Sequence, residues 1–354
     1  MSHSPTPLNS VIFFARVNKS FLGYWEYYGN DIDMLKSTYS RVIVVNTYLG
    51  AILSILKTPN AHIYCWWWNT SFPVLFLSWL LQRKSICTGA IHMFDCSGSP
   101  DFYSSSFLIK LLIPISLRIA SINLFISLNQ FQSITSHLKV NNPRLLYSSL
   151  SLHSNCRKLN INLYCENLPL SRINLLFVGW LSINGIKRKS LPCILKALAI
   201  CIHDLSMDIH LTIAGKSGNG NLAIDELIHE LCLHEYVDII NNLSQAEKDQ
   251  LYIKSDLFVS PSFMEGFGNA TLEAMSFGCP AVVSCYGASP EVVGNTGYIL
   301  NTITPSSLVN ILCTYSGLIR EERNCMRTSA YNRAYAMFGF SRRLDEFKDI
   351  MTMF

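Results

Sequence analysis

Residues 257–284 constrain the fold more tightly than any other stretch of the chain. Leu257 to Ser260 is a short strand-like run that ends at Pro261. A loop holding Glu265-Gly266-Phe267-Gly268 follows, and Asn269, Ala270 and Thr271 then open a helix that carries Leu272, Glu273, Ala274 and Met275. Gly278 and Pro280 stop this helix, and a second strand, Ala281 to Ser284, begins at once. Strand, helix and strand in that order predict a parallel α/β unit. Gly266 and Gly268 permit a tight backbone and let a ligand approach where a Cβ would stand in the way. The unpaired N–H groups at the helix start form an anion site suited to a phosphate. Glu265 in the loop and Glu273 about one turn into the helix can both face the carboxyl ends of the strands, where carboxylates accept hydrogen bonds from sugar and ribose hydroxyls.

The same rhythm extends over the whole chain. Strand-like runs are Val11–Ala15, Val42–Val45, His62–Cys65, Ser85–Thr88 and Leu124–Ser127 in the first half, with helical stretches at Asp31–Ser37, Phe72–Leu81, Ser106–Ala120 and Phe131–Leu138. In the second half the strands are Asn174–Val178, His210–Ala214, Val237–Ile240, Leu257–Ser260 and Ala281–Ser284. The helices there are Leu191–Ile202, Leu222–Leu231, Ala246–Ile253 and Ala270–Phe277. This alternation predicts two doubly wound parallel-sheet domains facing across a cleft, with ligands at the carboxyl ends of the strands. The boundary is placed in the polar stretch Asn160–Arg172, giving domains 1–168 and 169–338. A C-terminal helix, 339–354, carries Leu344, Phe347, Ile350 and Met351 and is expected to pack back toward the first domain.

Composition removes several function classes. With 354 residues, 49% of them hydrophobic and only 15% charged, the chain can bury two cores and is not a disordered segment. A net charge of +4, with no extended Lys/Arg run, argues against a nucleic-acid partner. The twelve cysteines form no C-x-x-C and no zinc spacing, and most sit in apolar runs, so a reduced cytoplasmic setting is expected. Met1–Ser10 lacks a basic region before an apolar core and does not read as a signal peptide.

Mean hydropathy is +0.25, which raises the question of a membrane span. The best candidate, Ser106–Leu128, contains Lys110, Pro114, Arg118 and Asn123, and each central charge costs ~2.5–3.5 kcal/mol on insertion scales. No spanning helix is expected. Two readings of the segment stay open: a helix leaning on a bilayer while Lys110 and Arg118 meet lipid phosphates, or a packed helix of the first domain.

Residues 265–280 resemble the E-x7-E signature of the retaining family 4 glycosyltransferases, with Glu265 and Glu273 as its two acids. The pattern E-G-F-G-x-x-x-L-E-A-M-x-x-G-x-P is matched at every fixed position. Leu175–Leu181, Leu211–Gly215 and Ala288–Val293 also look like segments of that family's nucleotide domain, and Tyr24–Tyr28 and Trp66–Trp68 carry a weaker likeness in the first half. The resemblance implies the GT-B fold, with the donor nucleotide in the second domain and the acceptor in the first.

Carried over residue by residue, the resemblance puts Glu265 on hydroxyls of the donor sugar and Glu273 on the ribose. It places Gly266, Phe267 and Gly268 against the sugar, and Asn269, Ala270, Thr271 and Leu272 near the diphosphate. Gly179 is the turn glycine of the donor site. The family's diphosphate-binding Arg would follow it, but Trp180 stands there; Lys189 takes the place of the family's lysine, and Ser190 stands where glycine is common. Cations are needed to stabilise the departing diphosphate, and Lys187, Arg188 and Lys216 are the candidates to replace the missing Arg. His92 is the expected general base or orienting histidine of the first domain, with Asp95 as a second candidate. Asp31-Ile32-Asp33 resembles a metal-binding D-x-D, yet the GT-B fold does not need a metal; no metal and no cofactor are assigned. Trp66–Trp68 reads as an acceptor-stacking wall, as an anchor at a membrane interface, or, for two of the three, as core and rim packing.

The function expected is a retaining transferase using a nucleotide-diphospho-sugar donor. Its acceptor would be a saccharide or a polyprenyl-linked saccharide, in surface polysaccharide assembly at the inner face of the cytoplasmic membrane. Rival readings are a GT-B sugar-nucleotide epimerase or hydrolase, which would turn over without an acceptor, and a non-catalytic sugar-nucleotide-binding scaffold, for which Trp180 is the main argument.

Overall fold

The computed structural model describes residues 8–24, 26–89, 102–103, 105–152 and 172–354. They fall into two compact units. One holds the first half together with the last helix, and the other holds residues up to 337.

In the first unit β1 (Leu8–Ala15) is followed by α1 (Lys19–Tyr24), α2 (Glu26–Lys36), β2 (Tyr39–Val45), α3 (Tyr48–Lys57), β3 (His62–Trp66) and α4 (Phe72–Leu80). Then come β4 (Ser85–Gly89), α5 (Phe107–Ile119), β5 (Ile122–Phe125), α6 (Leu128–His137) and β6 (Pro143–Leu145). All six strands are parallel, in the order β2-β1-β3-β4-β5-β6. Central strands of such a sheet are covered on both faces, and Val11 to Ala15 are accordingly fully buried. Ile12, Phe14 and Ile63 pack against the inner sides of α3, α4 and α5, through Ala51, Ile55, Val74, Leu75, Ile113 and Leu117.

The second unit runs β7 (Ile173–Trp180), α7 (Ile183–Arg188), α8 (Leu191–Ala199), β8 (Ile209–Lys216), α9 (Asn221–Glu230), β9 (Val237–Asn241) and α10 (Gln245–Lys254). It continues with β10 (Leu257–Ser260), α11 (Asn269–Ser276), β11 (Ala281–Ser284), α12 (Ser289–Val293), β12 (Tyr298–Leu300), α13 (Pro305–Ser316) and α14 (Arg320–Phe338). Its parallel sheet has the order β12-β11-β10-β7-β8-β9, the doubly wound arrangement of dinucleotide-binding folds. Finally α15 (Phe340–Thr352) packs Phe340, Phe347 and Met351 into the core of the first unit, beside Val11, Phe13, Tyr64 and Trp66.

Several elements have no counterpart in the expectation from sequence. The edge strands β6 and β12 are only three residues long, too short to show a period. Helices α3, α13 and α14 are also additional. The apolar run Ser106–Leu128 is divided into a 13-residue helix and the buried strand β5, and among the described residues no helix is long and apolar enough to cross a membrane. Asp31 is a buried structural acid, accepting hydrogen bonds from Tyr64 Oη (2.7 Å), Trp66 Nε1 (2.8 Å) and Arg343 Nη2 (2.6 Å). Asp33 pairs with Lys36 at the surface. Trp66 and Trp68 are core residues, Trp68 donating to Asn123 Oδ1 and stacking on Phe125. Half-buried Trp67 donates to Tyr28 Oη.

Candidate active site

In the second sheet, β7 connects to β8 on one side and the chain returns through α10 to β10 on the other. Loops therefore diverge at the carboxyl ends of β7 and β10, and this switch point is where such sheets bind ligands. Glycines shape the β7 side. At β7 and β8, Gly179 faces Gly215, and a Cβ on Gly215 would fall 1.7 Å from the Gly179 carbonyl oxygen. A Cβ on Gly179 would meet Lys189 Cδ at 2.9 Å, so this glycine is what lets the lysine stem cross the strand end. The Ser182 hydroxyl caps α7 by accepting from Gly185 N–H. Ser190, with φ +54°, then turns the chain into α8 in the left-handed conformation that favours glycine.

Lys189 is buried, and its Nζ lies 3.2 Å from Glu265 Oε1. Arg188 Nη1 reaches the same oxygen at 3.0 Å and also donates to the Met264 carbonyl at 2.7 Å. Phe263 N–H in turn donates to the Arg188 carbonyl at 2.9 Å, so the loops after β7 and β10 are bonded in both directions. Ser262 Oγ adds a third donor to Glu265 Oε1 at 3.0 Å. Burial alone would raise the Glu265 pKa, but the two cations and the hydrogen bonds from Lys189 and Ser262 outweigh it and hold the carboxyl at about 2. The backbone is fixed as well. Ala288 N–H donates to the Glu265 carbonyl, and Gly287, with φ +68°, lies so close that a Cβ would come within 2.6 Å of that oxygen.

Gly268 has φ +97° and precedes α11, whose start has no side-chain cap. A Cβ on Gly268 would meet Ser289 Oγ at 3.2 Å and Thr271 Oγ1 at 3.6 Å. The Ser289 and Ser190 hydroxyls are both buried without a hydrogen-bond partner; orphaned polar atoms of this kind call for an explanation, and a ligand is one. Asn269 and Ala270 are half-buried in the first turn, whereas Thr271, Leu272 and Phe267 are buried. Glu273, one turn on, accepts from Lys248 Nζ at 2.7 Å and from Tyr252 Oη at 3.1 Å, both on α10.

The structure thus brings Gly179, Lys189, Glu265, Gly266, Phe267 and Gly268 together at one switch point, with Glu273 behind them. Of the candidate replacements for the missing arginine, Arg188 is the one paired with Glu265. Lys187 is exposed, and Lys216 lies at the end of β8 with its Nζ 5.8 Å from the Trp180 ring centroid. His92 and Asp95 lie outside the described residues. Sequence reasoning missed Ser262, Ser289, Lys248 and Tyr252, none of which stands in a pattern that marks it.

A profile of the family described as "Glycosyl transferases group 1" matches residues 168–314. The chain is 32% identical over 117 residues to the MMP alpha-(1->4)-mannosyltransferase of Mycolicibacterium hassiacum, covering 33% of this chain and 28% of that protein. It is 31% identical over 112 residues to O-antigen chain mannosyltransferase B of Escherichia coli, covering 32% of this chain and 29% of that one. The chain therefore matches less than a third of the length of either relative. Among solved structures, sucrose-phosphate synthase from Thermosynechococcus elongatus superposes with a TM-score of 0.77 at 14% identity, over 98% of both chains. Anabaena HepE in complex with UDP and glucose gives 0.71 at 17% identity, over 98% of this chain and 100% of that one. At such identities the likeness shows the fold: two six-stranded parallel α/β sheets of the GT-B type.

Proposed function

We propose that the chain is a retaining glycosyltransferase that moves a sugar from a nucleotide-diphospho-sugar to a hydroxyl of a saccharide acceptor. One observation carries this reading: Lys189 and Arg188 converge on Glu265 at the switch point, beside the uncapped start of α11 and the orphaned Ser289 hydroxyl. That set offers cations and amides to a diphosphate and a carboxylate to sugar hydroxyls. Lys189 and Arg188 stabilise the charge that develops on the departing phosphate. The acceptor oxygen bonds to the anomeric carbon on the face the phosphate leaves, the carbon–oxygen bond to phosphate breaks, and the acceptor proton passes to a phosphate oxygen. Glu265 orients the sugar and Glu273, held by Lys248 and Tyr252, takes the ribose hydroxyls, so positioning supplies most of the rate. No metal is assigned a role. His92 remains the proposed orienting group of the acceptor side.

A nucleotide-sugar donor is supported by the likeness in fold to Anabaena HepE, whose structure holds UDP and glucose. A surface-polysaccharide role with a polyprenyl-linked acceptor, at the inner face of the cytoplasmic membrane, is supported by the O-antigen mannosyltransferase relative and by the apolar first unit. Trp180, the argument for a non-catalytic scaffold, does not leave the site short of charge, since Arg188 supplies the second cation.

Saturation-transfer NMR against UDP-, GDP- and dTDP-sugars tests the reading. One nucleotide sugar is expected to bind, and Glu273→Ala to abolish that binding. Binding retained in Glu273→Ala, or no binding across the panel, refutes it; turnover without any acceptor would favour the epimerase or hydrolase.

A further inference from the structure

The helical layer formed by α3, α4 and α5 carries large apolar side chains on its outer face as well as on the inner face that packs on the sheet. On α3, Leu49, Ile52, Leu53 and Leu56 recur at helical spacing and are all exposed, while the inward positions are Ala51 and Ile55. On α4, Pro73, Phe76, Trp79 and Leu80 are exposed, whereas the polar Ser78 is buried. Phe72, Phe76 and Trp79 form a ladder with ring centroids 5.8 and 5.9 Å apart. On α5, Phe107 is 77% exposed and Leu108 and Leu111 are exposed, whereas Ser116 is buried with an orphaned hydroxyl. Isolated exposed apolar residues need no explanation, but a patch spread over three adjacent helices does.

Charge identifies the occupant. No acidic residue occurs between Asp33 and Asp95 or between Asp101 and Glu166, so none of these helices and none of their immediate neighbours in sequence carries a negative charge. Lys57, Lys110 and Arg118 are exposed on the same helices. A second copy of the chain would bring cations against cations across an isologous interface. An anionic surface with an apolar interior meets both properties at once, as it does for amphipathic helices that lie in the plane of a bilayer. Tryptophan is the side chain favoured at the headgroup level, and Trp79 stands in the middle helix.

We propose that the outer face of α3, α4 and α5 is a docking surface for an anionic lipid bilayer, entered by Leu49, Leu56, Trp79, Leu80, Phe107 and Leu108 while Lys57, Lys110 and Arg118 meet lipid phosphates. The proposal needs only the surface of the first unit and stands independently of the transferase reading.

The experiment is flotation of the purified full chain with two kinds of vesicle, pure phosphatidylcholine and phosphatidylcholine carrying phosphatidylglycerol as the minor component. The protein is expected to float with the anionic vesicles, more weakly with the neutral ones, and less in high salt. Burying one large apolar side chain is worth about tenfold in partition, so Trp79→Glu with Leu80→Glu lowers anionic-vesicle binding by at least about tenfold. Lys57→Glu with Lys110→Glu lowers it by about fivefold or more per charge. Both pairs are exposed, and the variants are expected to keep the wild-type circular dichroism and melting curve. Failure of the wild type to float with anionic vesicles overturns the proposal, as does equal binding to both vesicle types. A dimer in light scattering that the Trp79/Leu80 variant dissociates, with no vesicle binding, would assign the face to a second copy instead. If a variant fails to fold, the wild-type comparison between vesicles and salt concentrations still decides.

Discussion

Removing the charge of Lys189 while keeping its carbon stem over Gly179 puts the electrostatics of the site to the test. In Lys189→Met, Glu265 loses a cation 3.2 Å away and keeps Arg188 at 3.0 Å and the Ser262 hydroxyl at 3.0 Å. In the folded protein these groups together hold the Glu265 carboxyl at about 2, against an ordinary 4.5. At about 1.4 kcal/mol per pH unit, that displacement corresponds to roughly 3 kcal/mol of stability at neutral pH. Because the folded pKa is depressed, the contribution is complete above 4.5 and is lost as pH falls from there through 2. With one of two cations gone, about half of it, roughly 1.5–2 kcal/mol, is expected to disappear at pH 7. Urea denaturation of wild type and variant at pH 7, and at steps downward through the acid range, measures this difference directly. The cost of the substitution should shrink as Glu265 takes up its proton. A cost that stays constant to the acid end would mean that Lys189 acts by packing alone. A wild-type Glu265 carboxyl that titrates near 4.5 by carbon NMR would remove the electrostatic account altogether.

Other predictions follow from the same geometry. Gly179→Ala is expected to cost about 1–3 kcal/mol, because its Cβ would stand 2.9 Å from Lys189 Cδ and 3.3 Å from the Phe177 ring; in a Lys189→Ala background most of that cost should vanish, and additivity of the two would refute the contact. Ser190→Gly should leave stability equal or higher, by up to about 1 kcal/mol, since φ is +54° there, while weakening donor binding if the orphaned hydroxyl meets the ligand; a lower melting temperature would contradict the strain. Arg343→Met is expected to destabilise by about 3–5 kcal/mol, because it strands the buried Asp31 carboxylate; a loss under about 1 kcal/mol in chemical denaturation would count against the pair. A transferase assay run in EDTA should give the untreated rate, and a rate restored only by a divalent cation would bring a metal into the site.

Much of the second unit was legible because its signals are local. The Glu265–Pro280 segment carries its own turn glycines, helix start and helix stop, and the alternation of strands around it needs no distant partner to be read. The second cation on Glu265 was not legible in the same way. Lys187, Arg188 and Lys189 are adjacent, and only the path of the chain at the end of α7 decides that Arg188, and not Lys187, joins Lys189 on that carboxylate. Asp31 shows the opposite difficulty: its D-x-D resembles a metal-binding motif, yet Tyr64, Trp66 and Arg343 converge on it from elements remote in sequence. The helices α4 and α5 show a third. Their periodicity is visible, but both sides are apolar, so a single sequence does not say that Ser78 and Ser116 face the sheet and Trp79 and Phe107 face outward.

The bond between Asp31 and Arg343 also orders events in time. The two residues are 312 positions apart, and the cation is held a second time by the Leu146 carbonyl, just past the end of β6 in the same unit. During synthesis, the strands of the first unit emerge long before α15, and until then one side of their sheet lacks Phe340, Phe347 and Met351 while a carboxylate at its heart has no counter-charge. The second unit has every strand of its sheet by Leu300 and its core helix α13, with Leu308, Leu312 and Tyr315, by Ser316, so its parts are all made before α15. The half made first is thus completed last, so a fragment of residues 1–156 expressed alone is expected to remain a loosely packed, chaperone-bound species rather than a folded domain.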